Sequence, residues 1–275
     1  MQIFDDFKGK ADPHWTQVTR GGGTLQFSKS ILRMGFPSAK QGAYTDAQID
    51  DYTMLARSDY LWKPPLCMTV RAHSSHPAAT AQSTEKSNNI LRGTAGFGFW
   101  NKPFSMEGKV FTLPEAIWFF YSAPPSNMAL VPGVPGWGWK AQVIHAMRPG
   151  AILQSIPLAL TMGLGRLTGN TKMASSSLQR FAGSHDKHIT EDMTQWHTYV
   201  IEWRKNESLF YIDDKLTLHV PQSPTRPLGF VAWLDNAYAI ATPRGEFIFG
   251  KGKSGAEWLE MDSVKIEPLE EGETI

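Results

Sequence analysis

The sequence holds one cysteine, Cys67, so no disulfide can form within the chain. It also lacks a charge imbalance. Its 27 basic and 26 acidic residues leave a formal charge of +1, and no basic run marks a nucleic-acid footprint. No apolar stretch reaches the roughly 18–20 residues that a spanning helix needs, so no transmembrane segment is expected. The opening Met1-Gln-Ile-Phe-Asp-Asp6 has no basic segment followed by an apolar one, and a cytoplasmic location is the expectation. Phosphate loops, dinucleotide fingerprints, nucleophile elbows and Ser-His-Asp arrangements are missing as well.

What is present favours a packed β protein. Hydrophobic residues make up 41% and charged residues 19% of 275, enough for a sizeable core. Aromatics reach 12% with ten Trp, more than a core requires, and Trp commonly floors a flat ligand face. Short apolar or alternating runs lie at 3–7, 15–18, 24–27, 31–34, 66–72, 94–100 and 116–121. Further runs follow at 197–203, 209–213, 228–234, 246–249 and 259–266. Gly21-Gly-Gly23, Pro64-Pro65 and Asp213-Asp214 punctuate them as turns or breaks, and 73–89 reads as a polar exposed loop. Many short strands at this spacing predict an all-β, two-sheet antiparallel sandwich over 1–268, ending in an acidic tail at 269–275.

Residues 122–195 stand apart as an insertion, partly helical or irregular. The insertion opens on Pro and Gly, from Pro124-Pro125 to Pro135-Gly-Trp-Gly-Trp139, and continues into a strongly apolar stretch at 151–167. Ile152, Ile156 and Leu160 fall on one helical face, although Pro157 interrupts a regular helix. A long apolar loop in a compact domain is a candidate lid.

The strand sequence Trp196-His-Thr-Tyr-Val-Ile-Glu-Trp203, followed by Phe210-Tyr-Ile-Asp-Asp-Lys215, is similar to a strand pair of glycoside hydrolase family sixteen. Leu259-Glu-Met-Asp-Ser-Val-Lys-Ile266 resembles the closing strand of that family. The likeness is tight over 196–266 and loose over most of the chain. It implies a concanavalin A-like jelly roll, the fold of a lectin/glucanase group, and a carbohydrate as ligand.

The resemblance also implies a Glu-x-Asp-x-Glu strand for retaining hydrolysis. Alternate residues of a strand line one face, which brings nucleophile and acid within roughly 5–5.5 Å. The corresponding stretch here is Leu113-Pro-Glu-Ala-Ile-Trp-Phe-Phe-Tyr121. Glu115 keeps one carboxylate, Ile117 takes the middle position, and Phe119 or Phe120 takes the last. The standard retaining mechanism is therefore not expected. Glu115 remains a candidate lone acid or base, or else caps a strand end. Asp235-Asn236 either supplies a polar pair to the cleft or forms a turn. Tyr121 is a third catalytic candidate and Tyr238 a weaker one.

For ligand contact the candidates are Trp100, Trp118, Trp137, Trp139, Trp233, Phe119 and Asn236, each Trp weighed against burial in the core. His185, Asp186 and His188 are too loosely spaced for a metal site and read as a solvated loop, while His145 reads as structural. No cofactor is expected, although Asp5, Asp6 and Asp262 are acids of the type that hold a structural calcium in such sandwiches. Two ligand classes stay open. One is an oligosaccharide; the other is an apolar small molecule undergoing acid-base or cyclising chemistry in an aromatic-lined cleft.

Overall fold

The computed structural model describes residues 1–103, 112–129, 131, 133–146, 183–241 and 247–269. The described residues form seventeen strands, numbered β1–β17 in chain order, and one 3₁₀ turn at Arg57–Asp59. No helix among them is long and apolar enough to cross a membrane. Two antiparallel sheets carry the architecture. The eight-stranded sheet runs β13 (Lys215–Val220), β12 (Ser208–Ile212), β11 (His197–Trp203), β6 (Leu66–Ser74), β17 (Glu257–Pro268), β4 (Ile31–Phe36) and β3 (Thr24–Ser28). Its remaining strand, β1 (Ile3–Asp5), pairs with the far part of β17.

The seven-stranded sheet runs β10 (Ser184–His188), β9 (Gly138–His145), β8 (Glu115–Ser122), β7 (Thr94–Trp100), β14 (Gly229–Asp235), β5 (Asp46–Asp50) and β2 (Thr16–Arg20). A separate hairpin joins β15 (Ala237–Ala241) to β16 (Phe247–Lys251). The chain crosses between the sheets several times, and between crossings it runs as antiparallel meanders, β7–β8–β9–β10 in one sheet and β11–β12–β13 in the other. This is the two-sheet antiparallel sandwich that the spacing of short strands predicts, with the jelly-roll form that the family resemblance implies.

Period-two alternation decides what each strand buries. On β11, Tyr199, Ile201 and Trp203 face the opposite sheet; on β8, Ile117, Phe119 and Tyr121 do. Phe119 packs on Tyr199 with ring centroids 5.0 Å apart and on Phe210 at 5.4 Å. Phe97 lies 5.1 Å from Tyr199, and Phe99 5.3 Å from Trp203. Such pairs each add about 0.5–1.5 kcal/mol beyond the area they bury. The core is thus an aromatic layer shared by both sheets.

Asp213 and Asp214 have φ of 48° and 64°, as a two-residue hairpin between β12 and β13 requires. Five strands go beyond the sequence reading: β5, β9, β10, β13 and β15. Two of them correct the boundaries of the insertion, because β9 and β10 lie within 122–195 and form one edge of the seven-stranded sheet. The reason lies in the segment Gly138–His145, whose Trp139, Ala141 and Val143 enter the core in strict alternation. The apolar stretch 151–167 and the tail beyond 269 lie outside the described residues. The polar segment 73–89 is less exposed than expected, because His73 and Ser74 extend β6 and Ala79 is wholly buried.

The three candidate calcium acids are each engaged separately. Asp5 accepts the backbone N–H of Phe7 and of Asp12 and the indole N–H of Trp15, at 2.8, 2.7 and 2.9 Å. Asp6 pairs with Lys8 at 2.5 Å, and Asp262 pairs with Arg71.

Glu257 offers a direct test of core electrostatics. Burial pushes its carboxyl up to about 8, against a hydrogen bond from the Arg92 backbone N–H at 2.9 Å. The folded chain then holds a proton that the unfolded chain releases. Stability from this group is complete at low pH and is lost as pH rises from the unfolded value of 4.5 through about 8. Thermal unfolding of Glu257→Gln is expected to depend less on pH across that window than the wild type. A parallel profile would show that Glu257 is already ionised in the folded chain.

Candidate functional site

The face of the seven-stranded sheet turned away from the core carries a second aromatic cluster. Trp100, Trp118, Trp233, Tyr52 and Tyr60 belong to it, with Phe120 packed against them. Trp118 stacks on Phe120 at 5.2 Å and lies 5.3 Å from Trp233 and 5.7 Å from Trp100. Two glycines of β7 make room for these rings. A Cβ on Gly96 would stand 2.9 Å from the Trp233 ring, and one on Gly98 2.6 Å from Cβ of Trp118. With φ of 143°, Gly98 also holds a backbone conformation that side chains disfavour. The outward residues of Thr94–Trp100 are thus small where the neighbouring indoles lie down.

Strand register orders this face into rows. One row reads Val18, Gln48, Trp233, Gly96, Phe120, Lys140 and His188. The next reads Thr16, Asp50, Val231, Gly98, Trp118, Gln142 and Asp186. The aromatic platform therefore sits between two polar flanks.

On one flank, β9 and β10 contribute Lys140, Gln142 and Asp186. The Trp118 indole donates to Gln142 Oε1 at 2.7 Å, and Gln142 Nε2 donates to Asp186 Oδ1 at 3.0 Å. Ser184 Oγ donates to the same oxygen at 2.9 Å, and Lys140 Nζ lies 3.5 Å from Asp186 Oδ2. Burial lowers the Lys140 amine, opposed by the charge of Asp186. Burial also lowers His188, with the Lys140 charge adding to it.

The other flank is acidic. Asp46 and Asp235 are register partners on β5 and β14, both buried. Asp235 Oδ1 accepts from Thr94 Oγ1 at 2.8 Å, from the Thr94 N–H at 3.3 Å and from the Ala237 N–H at 2.9 Å. Its Oδ2 accepts from the Tyr44 hydroxyl at 3.1 Å. Burial raises the Asp235 carboxyl to about 6 despite these donors. Asp46 rises further, through burial and then through the neighbouring Asp235 charge. Asp50 accepts from Gln48 Nε2 at 2.6 Å and closes the turn to Tyr52 and Thr53.

Of the sequence candidates, Trp100, Trp118, Trp233 and Asp235 come together on this face. Phe119, Tyr121 and Trp139 do not. They lie in the core between the sheets, because they alternate with Trp118, Phe120 and Lys140 along the same strands. Tyr121 donates its hydroxyl to the Leu91 carbonyl at 2.7 Å, an anchor within the core. Glu115 falls on the core side too, paired with His145 at 2.7 Å, and its backbone N–H is held by Asn101. Trp137 sits half-buried at the edge of the core and donates to the Thr80 carbonyl. Asn236 is a structural tie, accepting from the Thr45 N–H and donating to the Ala43 and Gly252 carbonyls.

The sequence reading missed Asp46, Gln48, Asp50, Lys140 and Gln142, and it read Asp186 as part of a solvated loop. A usable signal existed in Asp46-Ala-Gln-Ile-Asp50 and in Trp139-Lys-Ala-Gln-Val143. Polar and apolar residues alternate in both, but the second is hidden by the Pro and Gly before it.

No family model matches the chain, and no curated protein matches its sequence. Solved structures do resemble it. A prokaryotic β-1,3-1,4-glucanase (lichenase) from a mouse hindgut metagenome aligns over 98% of this chain and 100% of its own, with TM-score 0.50 and 12% identity. The Bacillus licheniformis β-glucanase covers 98% and 99%, with TM-score 0.50 and 10% identity. An endo-β-1,3-glucanase from Pyrococcus furiosus covers 98% and 94%, with TM-score 0.51 and 11% identity. At such identity the likeness is one of fold alone: the chain shares the two-sheet β-sandwich of these glucanases.

The link that Gln142 makes between Trp118 and Asp186 can be tested directly. Gln142→Leu removes the acceptor of a buried indole N–H and the donor to a buried carboxylate, at an expected cost of roughly 1–3 kcal/mol or more in urea unfolding. An unchanged midpoint would mean that neither group depends on Gln142 for stability.

Proposed function

We propose that this outer face is a carbohydrate cleft and that the protein binds or acts on an oligosaccharide. One observation carries the reading: the platform of Trp118, Phe120 and Trp233 lies between two rows of hydrogen-bonding side chains. A pyranose ring needs such an arrangement. Its C–H face stacks on an aromatic ring, and its hydroxyls require donors and acceptors at the rim. The half-buried Gln48 stands at one flank, and the Lys140, Gln142 and Asp186 network backs the other. The fold shared with three glucanases, over nearly their whole length, supports the same ligand class.

The standard retaining mechanism does not belong to this reading. Strand β8 corresponds to the strand on which the family resemblance expects three acids. Its outward residues are Ala116, Trp118, Phe120 and Ser122, alternating with the core-facing Ile117, Phe119 and Tyr121. On this reading that face of the strand offers a ligand stacking and no carboxylate.

One feature favours the second reading, an apolar small molecule in an aromatic-lined cleft. Trp100, Trp118 and Trp233 are only 7–8% exposed, so the platform is more closed than an open groove for a polymer. The two readings separate in a single titration. Trp fluorescence would be followed against β-1,3- and β-1,4-linked gluco-oligosaccharides, galacto-oligosaccharides and apolar terpenoids. Oligosaccharides are expected to bind, and the half-buried Phe120 replaced by Ala should weaken them about tenfold, or about 1.4 kcal/mol. Binding of the terpenoids alone would sink the carbohydrate reading.

A further inference from the structure

Strand β8 offers no outward carboxylate, yet the same face of the sheet buries two of them side by side. Asp46 on β5 and Asp235 on β14 are direct register partners. In this position their side chains leave the sheet together, two positions along the strands from Gln48 and Trp233 and on the same face. They are 3% and 2% exposed. Burial and the facing charge of Asp235 both disfavour ionisation of Asp46, so the pair favours holding a proton.

The surroundings decide which member holds it. Asp235 accepts four hydrogen bonds, from Thr94 N–H, Thr94 Oγ1, Ala237 N–H and the Tyr44 hydroxyl, and these donors favour the ionised form. Asp46 has no such support, and its buried Oδ1 has no hydrogen-bond partner. The groups facing Asp46 are Arg20 across the β2–β5 pairing, Asp50 along β5, Asp235 on β14 and Tyr44 beside it. Only Arg20 among them favours ionisation, against two acids and the burial. The charge therefore rests on Asp235 and the proton on Asp46.

We propose that Asp46 is the proton donor of this cleft and that Asp235 is the positioning carboxylate that keeps it protonated. The assignment rests on the carbohydrate reading and extends it from binding to hydrolysis. In the step itself, the bond between the anomeric carbon and the glycosidic oxygen breaks, and its electron pair goes to that oxygen. The leaving oxygen takes the proton of Asp46. A water oxygen bonds to the anomeric carbon, and the proton that water sheds returns to the acid pair, which ends as it began. Gln48, two residues from Asp46 on the same face of β5, is the one half-buried residue of that strand and so the open side of the pair.

The test uses the whole chain with β-1,3- and β-1,4-linked gluco-oligosaccharides and galacto-oligosaccharides. Product release is followed by mass spectrometry and affinity by calorimetry. Asp46→Asn is expected to bind as the wild type does and to lose about 100-fold or more in turnover. Asp235→Asn removes the charge that holds the proton on Asp46, so the alkaline limb of its pH–rate profile should move to lower pH. A structural role alone would move neither the limb nor turnover at constant affinity. Independently of folding in the variants, ¹³C NMR of the wild type should show Asp46 protonated and Asp235 ionised near neutral pH. The assignment is overturned by an ionised Asp46, by normal turnover in Asp46→Asn, or by a wild type that binds oligosaccharides without cleaving any. In that last case the binding reading stands. Absence of oligosaccharide binding removes that reading, and the proton donor with it.

Discussion

A single strand in the middle of a sheet must satisfy two faces at once, and in this protein β8 does so with aromatic residues on both. Ile117, Phe119 and Tyr121 lock the seven-stranded sheet onto the other sheet, while Trp118 and Phe120 build the platform outside. The two layers are fixed relative to each other because they hang from one backbone. Any shift in the register of β8 by one residue would exchange them, placing Trp118 in the core and Phe119 on the surface. The core contacts of Phe119 to Tyr199 and Phe210 therefore also position the outer aromatic face.

The glycines of β7 follow from the same constraint. A platform of flat rings needs a floor, and side chains on Gly96 and Gly98 would lift the indoles of Trp233 and Trp118 off it. Around this floor the polar groups are sorted by strand: acids on β5 and β14, a Lys-Gln-Asp relay on β9 and β10. Each flank is buried enough to move its ionisation, upward for Asp46 and Asp235, downward for Lys140 and His188. Burial that shifts carboxylates upward also makes stability fall with rising pH, so the polar groups of this sandwich are bought at some cost in stability near neutrality.

Comparison of Asp235 with Glu115 shows how far a resemblance can lead. Glu115 lies in the strand that the family motif would occupy and is nonetheless turned to the core, paired with His145. Asp235 carries no motif and stands on the outer face opposite another acid. Sequence similarity located the strand, but the parity of a residue along it set which side it serves. One residue of offset separates a carboxylate on the outer face from one on the core side.

The sequence alone determined the fold class, because alternating apolar residues and turn residues act locally: the runs 94–100 and 197–203 coincide with β7 and β11, and Asp213-Asp214 makes the tight turn. Its ten Trp also pointed to aromatic packing beyond a single core, and a second aromatic cluster does lie on the outer face. Tertiary structure decided the rest. Whether Trp118 or Trp139 faces a ligand depends on which side of the sheet the second sheet covers, and a period of two is silent on that. The meeting of Asp46 with Asp235 joins residues 189 positions apart through strand register. No local pattern encodes such a pairing; it exists only once β5 and β14 lie side by side.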